Sequence, residues 1–155
     1  MLEWKTLHIL SMITMITTFL GAEIFYAAAM WRRDVHALAF VQRTIERLGI
    51  GLIALCALLL GIVFGLLTAA NGGFDYVATW LIVAYVLVAV FLVNGFTLGD
   101  RVVKAGKAAM EAEAGNGSIE ELAASLNPNR AAILLGINIV LFAVIVADMV
   151  LKPSF

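Results

Sequence analysis

The chain has 155 residues, of which 63% are hydrophobic and only 14% charged, and its formal net charge is −1. Soluble globular domains carry roughly 25% charged residues, so this composition, with a mean hydropathy of +1.03, excludes an ordinary water-soluble fold. A single cysteine, Cys56, excludes a disulfide framework or a thiolate metal cluster within one chain.

Apolar stretches at about 6–31, 48–68, 79–98 and 131–151 are each long enough to cross a bilayer. A hydrocarbon layer about 30 Å thick needs roughly 20 apolar residues at ~1.5 Å rise each. Backbone in lipid must satisfy its own hydrogen bonds, so the spans are helices. The expected fold is all-α: a four-transmembrane-helix bundle with cytoplasmic helix extensions, forming a single integral membrane domain over 1–155. The polar segment 100–130 is too short to bury a core of its own.

The first span is too long for a signal-peptide apolar region and is interrupted by Ser11, Thr14, Thr17, Thr18 and Glu23, which marks it as a retained helix. At 100° per residue, His8, Met12, Met15, Phe19 and Tyr26 share one face, with Glu23 at its edge and Ser11, Thr14, Thr18 and Gly21 beside it. Lipid has no use for such a strip, so this face is expected to look into the bundle. After Asp34, a plausible N-cap, Leu38, Val41, Ile45 and Leu48 keep helical spacing while Gln42, Arg43, Glu46 and Arg47 take the other face, so span two is expected to begin well before its apolar part.

Gly61 and Gly65 in span two, and Gly95 and Gly99 in span three, form Gly-x-x-x-Gly pairs that suit close contact within the bundle better than a dimer face. Beyond Leu98, Asp100, Lys104, Lys107 and Glu111 extend span three as a solvated stripe. Gly115-Asn116-Gly117 breaks the helix, Ser118-Ile119-Glu120-Glu121 has the form of a capping box, and Asn127-Pro128 is a cap followed by proline at the first position of span four. Pro153 is expected to end that helix.

Arginines and lysines set the orientation. Arg32, Arg33, Arg43 and Arg47 lie between spans one and two, and Arg101, Lys104, Lys107 and Arg130 between spans three and four, whereas the turn 69–75 has no base. Both basic connections are therefore expected in the cytoplasm of a bacterial inner membrane, with both termini outside. Trp4, Tyr76, Trp80 and Phe155 would share the outer interface and Trp31 the inner one.

Function has to be read from polar groups inside the membrane. His8, one turn inside the outer interface and backed by Met12 and Met15, offers one imidazole ligand with soft apolar walls, which suits haem b or a quinone-like planar ligand. His8 is the candidate metal ligand, and Asp148 at similar depth in span four is a candidate to hold its second ring nitrogen. The alternative is a wet interfacial histidine, or one bonded to another helix, with Asp148 reaching headgroups beside Lys152. Glu23, about 22 Å along the axis from His8, is expected to pair with Arg43 or Arg47, or else to accept a proton. Asn94 and Asn138 are expected as interhelical hydrogen bonds or ligand contacts. His36, on the cytoplasmic side, cannot join His8 on one ligand.

Trp4-Lys5-Thr6-Leu7-His8-Ile9 resembles the opening of the first helix in the HemJ and CopD group of small bacterial membrane proteins, and the likeness continues through Phe25-Tyr26, Trp80-Leu81, Leu126-Asn127 and Val150-Leu151-Lys152-Pro153. The chain is more similar still to an uncharacterised family of bacterial integral membrane proteins, a domain of unknown function. The resemblance implies a four-helix scaffold and places the haem-linked first-helix histidine of HemJ-type protoporphyrinogen oxidase on His8. The histidine and lysine of that family's Trp-Leu-His-x-Lys segment fall here on Ile82 and Ala84, which argues against the oxidase activity. Copper handling of the CopD kind would rest on His8, Met12 and Met15 alone.

The leading reading is a haem- or quinone-associated redox or accessory protein using the His8 face. Its rival is a non-catalytic structural or assembly subunit of a membrane complex; a small transporter comes third, because Glu23 and Asp148 are far apart. The expected partners are the lipid bilayer and either further copies of the chain or a larger membrane complex, without nucleic acid.

Overall fold

The structure, a computed structural model, describes residues 2–151. Its helices are α1 (Leu2–Trp31), α2 (Val35–Leu48), α3 (Ile50–Asn71), α4 (Thr79–Glu113), α5 (Ile119–Ser125) and α6 (Pro128–Leu151). Four of them, α1, α3, α4 and α6, are long and apolar enough to cross a membrane. Side chains such as Leu52, Val93 and Phe96, each about two-thirds exposed, suit lipid on their outer faces.

α1 is the central helix. It packs along α3 on one side and on α6 on another, while α4 packs on α6 and α2. Among the described residues α3 approaches neither α4 nor α6 closely, although α4 follows it in the chain. The glycines explain the α1–α3 seam: a Cβ on Gly61 would come 2.8 Å from Met12 Sδ, and one on Gly65 would come 3.0 Å from ring atoms of His8. With no hydrophobic incentive for association in lipid, helices approach where small residues let side chains sink in. Gly95 of α4 does the same for Phe19, whose ring lies 5.6 Å from that of Phe91. Gly99 has nothing within 4 Å of its would-be Cβ, so only the first glycine of that pair is a contact.

At ~1.5 Å per residue α4 is about 52 Å long, well beyond the hydrocarbon layer, and its polar continuation past Leu98 packs with α2 and α5 at the end where most arginines and lysines gather, the basic end. There Leu38, Ala39, Val102, Ala109 and Leu126 are buried in one cluster with Tyr26 and Met30 of α1. The caps form where local spacing put them: Asp34 Oδ1 accepts from Ala37 N at 2.9 Å, Ser118 Oγ from Glu121 N at 3.2 Å and Asn127 Oδ1 from Arg130 N at 3.1 Å. Trp4, Tyr76 and Trp80 lie at the opposite end from α2. The expected stop at Pro153, the interfacial Phe155 and the Asp148–Lys152 alternative fall outside the described residues.

Two expectations for the segment 34–48 need correction. It is not the start of span two but a separate amphipathic helix, because Gly49 adopts φ 62° in the left-handed region, closes α2 by donating to Glu46 and Ile45 carbonyls and restarts the chain as α3. The buried stripe of α2 is also wider than expected: Leu38 is buried and Val41 and Ile45 pack against the core as expected, but Val35, Ala39 and Gln42 face inward too, and Leu48 is exposed. Gly106 of α4 is the reason, since Gln42 occupies the space where a side chain there would begin, its Oε1 2.6 Å from the would-be Cβ.

Candidate functional site

Glu23 of α1 is 4% exposed and Asn138 of α6 is 0% exposed, although both sit in helices that cross the membrane. The Asn138 side-chain N–H group donates to both carboxyl oxygens of Glu23, at 3.0 and 3.1 Å. The Asn138 carbonyl accepts from Asn94 Nδ2 of α4 at 2.6 Å, and Asn94 donates also to the Leu134 backbone carbonyl at 3.1 Å. Three helices thus meet on one acid through two amides. No water competes for these groups in lipid, so each amide must find its partners within the protein.

The expected ion pair of Glu23 with Arg43 or Arg47 does not form. Arg43 Nη2 instead donates to Glu113 Oε2 at the end of α4, and Arg47 is exposed. The reason is helical geometry: Gln42 takes the inward position of α2, and the next residue points about 100° away from it. Among the described residues Glu23 has no ion-pair partner at all. Chemically the arrangement is a carboxyl whose two oxygens share one neutral amide donor, able to take a proton and change its hydrogen bonding to α6 when it does.

A second buried set lies one turn further along α1. The Tyr26 hydroxyl donates to Gln42 Oε1, and Gln42 Nε2 donates to Glu46 Oε1 at 2.6 Å. Sequence reading placed Tyr26 on the inward face of α1 but put Gln42 with the solvated residues; the signal for it is the Gly106 gap on a different helix, which no local pattern shows. Further out, His36 Nδ1 donates to Glu113 Oε1 at 2.6 Å. Beyond the apolar part of α4, the His36 hydrogen bond and the Arg43 guanidinium hold the Glu113 carboxyl below its ordinary 4.5, outweighing desolvation.

The His8 face is assembled differently. His8 is part-buried and its Nδ1 lies 2.7 Å from the Gly61 carbonyl, which can only accept, so Nδ1 carries a hydrogen and Nε2 is the nitrogen left for any ligand of the neutral ring. Met12 is seated on Gly61 and Met15 is 4% exposed in a cluster with Ala57, Phe91 and Ile145, so both thioethers serve helix packing. Asp148 is 8% exposed, and its Oδ2 has no partner among the described residues. The expected His8–Asp148 pair is not formed, because His8 turns to α3 while Asp148 arrives on α6, and these helices flank α1 on different sides. Among the described residues no cluster of three or more His, Cys, Asp or Glu side chains could hold a metal ion.

Residues 3–153 match the family model described as a predicted integral membrane protein, DUF2269. The expected likeness to an uncharacterised membrane family is met by this match, whereas the likeness to HemJ and CopD has no counterpart in the comparisons. No curated protein and no solved structure matches the chain. With nearly its whole length covered, the chain belongs to the DUF2269 family of predicted integral membrane proteins.

Proposed function

We propose that this member of the DUF2269 family handles protons in the membrane, with Glu23 taking up and releasing the proton and Asn138 and Asn94 as positioning residues. The observation that carries the reading is a nearly fully buried carboxyl, held by a neutral amide and lacking a cation, at the junction of α1, α4 and α6. An unpaired charge is costly there, and an ionisable group kept inside a membrane helix bundle calls for a functional reason. The carboxylate accepts from Asn138 on both oxygens, whereas the protonated acid has its own hydrogen to donate, so each proton event rewrites the α1–α6 contact. The excess of arginine and lysine at the basic end supports a cytoplasmic position for that end in a bacterial inner membrane, with both termini outside. Glu23, about 12 Å from the end of α1, then lies toward the cytoplasmic side. This role fits a small transporter or a proton-responsive accessory subunit.

Infrared difference spectra of the protein in lipid nanodiscs, recorded across a pH change, provide the test. A carboxyl C=O band should come and go in the wild type and be missing from Glu23→Gln, which keeps an acceptor for Asn138 and should keep its melting temperature. Identical spectra from the two proteins would remove the reading and leave a structural or assembly subunit, with the outer face of α3 against further copies or another membrane protein.

One observation favours a second reading, a redox or accessory role at His8. A histidine oriented by Nδ1–H on a carbonyl presents Nε2 as a ligand, the arrangement that metal-bound imidazoles use. Haem b, when bound, would supply one-electron chemistry there. Met12, Met15 and Asp148 would act only as neighbours of that site. The purified protein should then show a Soret band that His8→Ala loses; a protein that stays colourless after haem is supplied excludes haem.

A further inference from the structure

At the basic end a crevice of about 90 Å³ opens between α1, α4 and α6, its walls including Met30, Leu98, Val102 and Leu134 and its rim Arg101 and Arg130. Leu98 closes the apolar stretch of α4, and Arg130 stands in the first turn of α6, so the crevice lies where the spans leave the hydrocarbon layer. Both arginines are exposed, and neither has a carboxylate partner among the described residues. The acid next to Arg101 in the chain, Asp100, is already held by Lys104 at 2.7 Å. Two uncompensated guanidiniums thus stand over an apolar slot at the membrane boundary.

We infer that this crevice binds an anionic phospholipid of the adjoining leaflet, its phosphodiester on Arg101 and Arg130 and the upper methylenes of one acyl chain along Leu98 and Leu134. Guanidinium groups match phosphate oxygens in a fork geometry. The slot is too small and too apolar for a headgroup, so the phosphate stays at the rim and only a chain enters. A free phosphate ion would leave those apolar walls uncovered. The bound lipid would tie the start of α6 to α4, and it is independent of what Glu23 does.

The test measures binding of phosphatidylglycerol and phosphatidylcholine to the full chain by native mass spectrometry from neutral detergent, with inorganic phosphate as a separate arm. Phosphatidylglycerol should bind the wild type about 30-fold more tightly than R101Q/R130Q, from two interfacial arginines acting together. The exposed pair R32Q/R33Q removes the same charge elsewhere and should weaken binding by less than about threefold. Equal loss in both variants, equal binding of phosphatidylcholine, or displacement of the lipid by inorganic phosphate would overturn the inference. Should R101Q/R130Q fail to fold, a photoreactive phosphatidylglycerol keeps the question open to refutation: labelling of the wild type at 98–102 and 131–134 supports the site, and labelling elsewhere refutes it.

Discussion

In its second half α1 buries Glu23 and Tyr26, and each is hydrogen-bonded to a side chain from another helix. In its first half His8 remains part-buried and meets only a backbone carbonyl of α3. Both halves carry polar groups inside a membrane helix, yet only the second gathers three helices around one group. The difference follows from the neighbours. α3 brings glycines and apolar residues to the first half, whereas α4 and α6 bring amides to the second. A single bond to a backbone carbonyl orients a ring, but a shared acid makes the packing of three helices depend on one protonation state.

The largest test of this contrast is Asn138→Ala against His8→Ala. Asn138→Ala leaves Glu23 without its donor and Asn94 with only the Leu134 carbonyl, in a site that excludes water, and should cost about 3 kcal/mol, while His8→Ala loses one bond at a part-exposed site and should cost about 1 kcal/mol. Unfolding of both variants in bicelles gives the order, and a reversed order would break the comparison. Next come the two glycines of α4. Gly95→Ala drives a methyl to within 2.5 Å of Phe19 Cζ and should cost about 2 kcal/mol by overpacking. Gly99→Ala meets nothing within 4 Å and should be neutral or stabilising by up to about 1 kcal/mol through helix propensity. Equal melting temperatures for the pair would mean that α1 does not lie against α4 at Gly95.

At the basic end Gly49→Ala should cost about 1 kcal/mol, because its φ of 62° disfavours any L side chain. If Gly49→Ala melts with the wild type, α2 and α3 are one continuous helix after all. The smallest effect concerns Glu113, whose carboxyl is held below 4.5 by His36 and Arg43. Lowered in the folded state, it contributes stability that is full above 4.5 and is lost as pH falls through its lower folded value. Melting curves taken from about pH 6 down to about pH 3 should therefore decline more steeply for the wild type than for Glu113→Gln; parallel curves would show that the contact carries no linkage.

Much of the architecture was legible in local pattern. The spans followed from apolar length, and the caps at Asp34, Ser118 and Asn127 from side chains that reach backbone N–H groups three residues on. The inward face of α1 was legible in part: periodicity groups Met15, Glu23 and Tyr26 without reference to anything else, but in the strip beside them Thr14 is exposed, its hydroxyl donating to the Leu10 carbonyl of its own helix, and nothing packs on Gly21. Partners were not. Glu23 and Asn138 lie 115 positions apart, and an acid near basic residues reads equally well as an ion pair until the rotation of α2 is known. That rotation depends on Gly106 admitting Gln42, and the break before α3 on a left-handed Gly49, although helical spacing continues on both sides. Periodicity reports which residues share a face of one helix, whereas only the packed helices decide which face meets which, because small residues and amides make their contacts across helices.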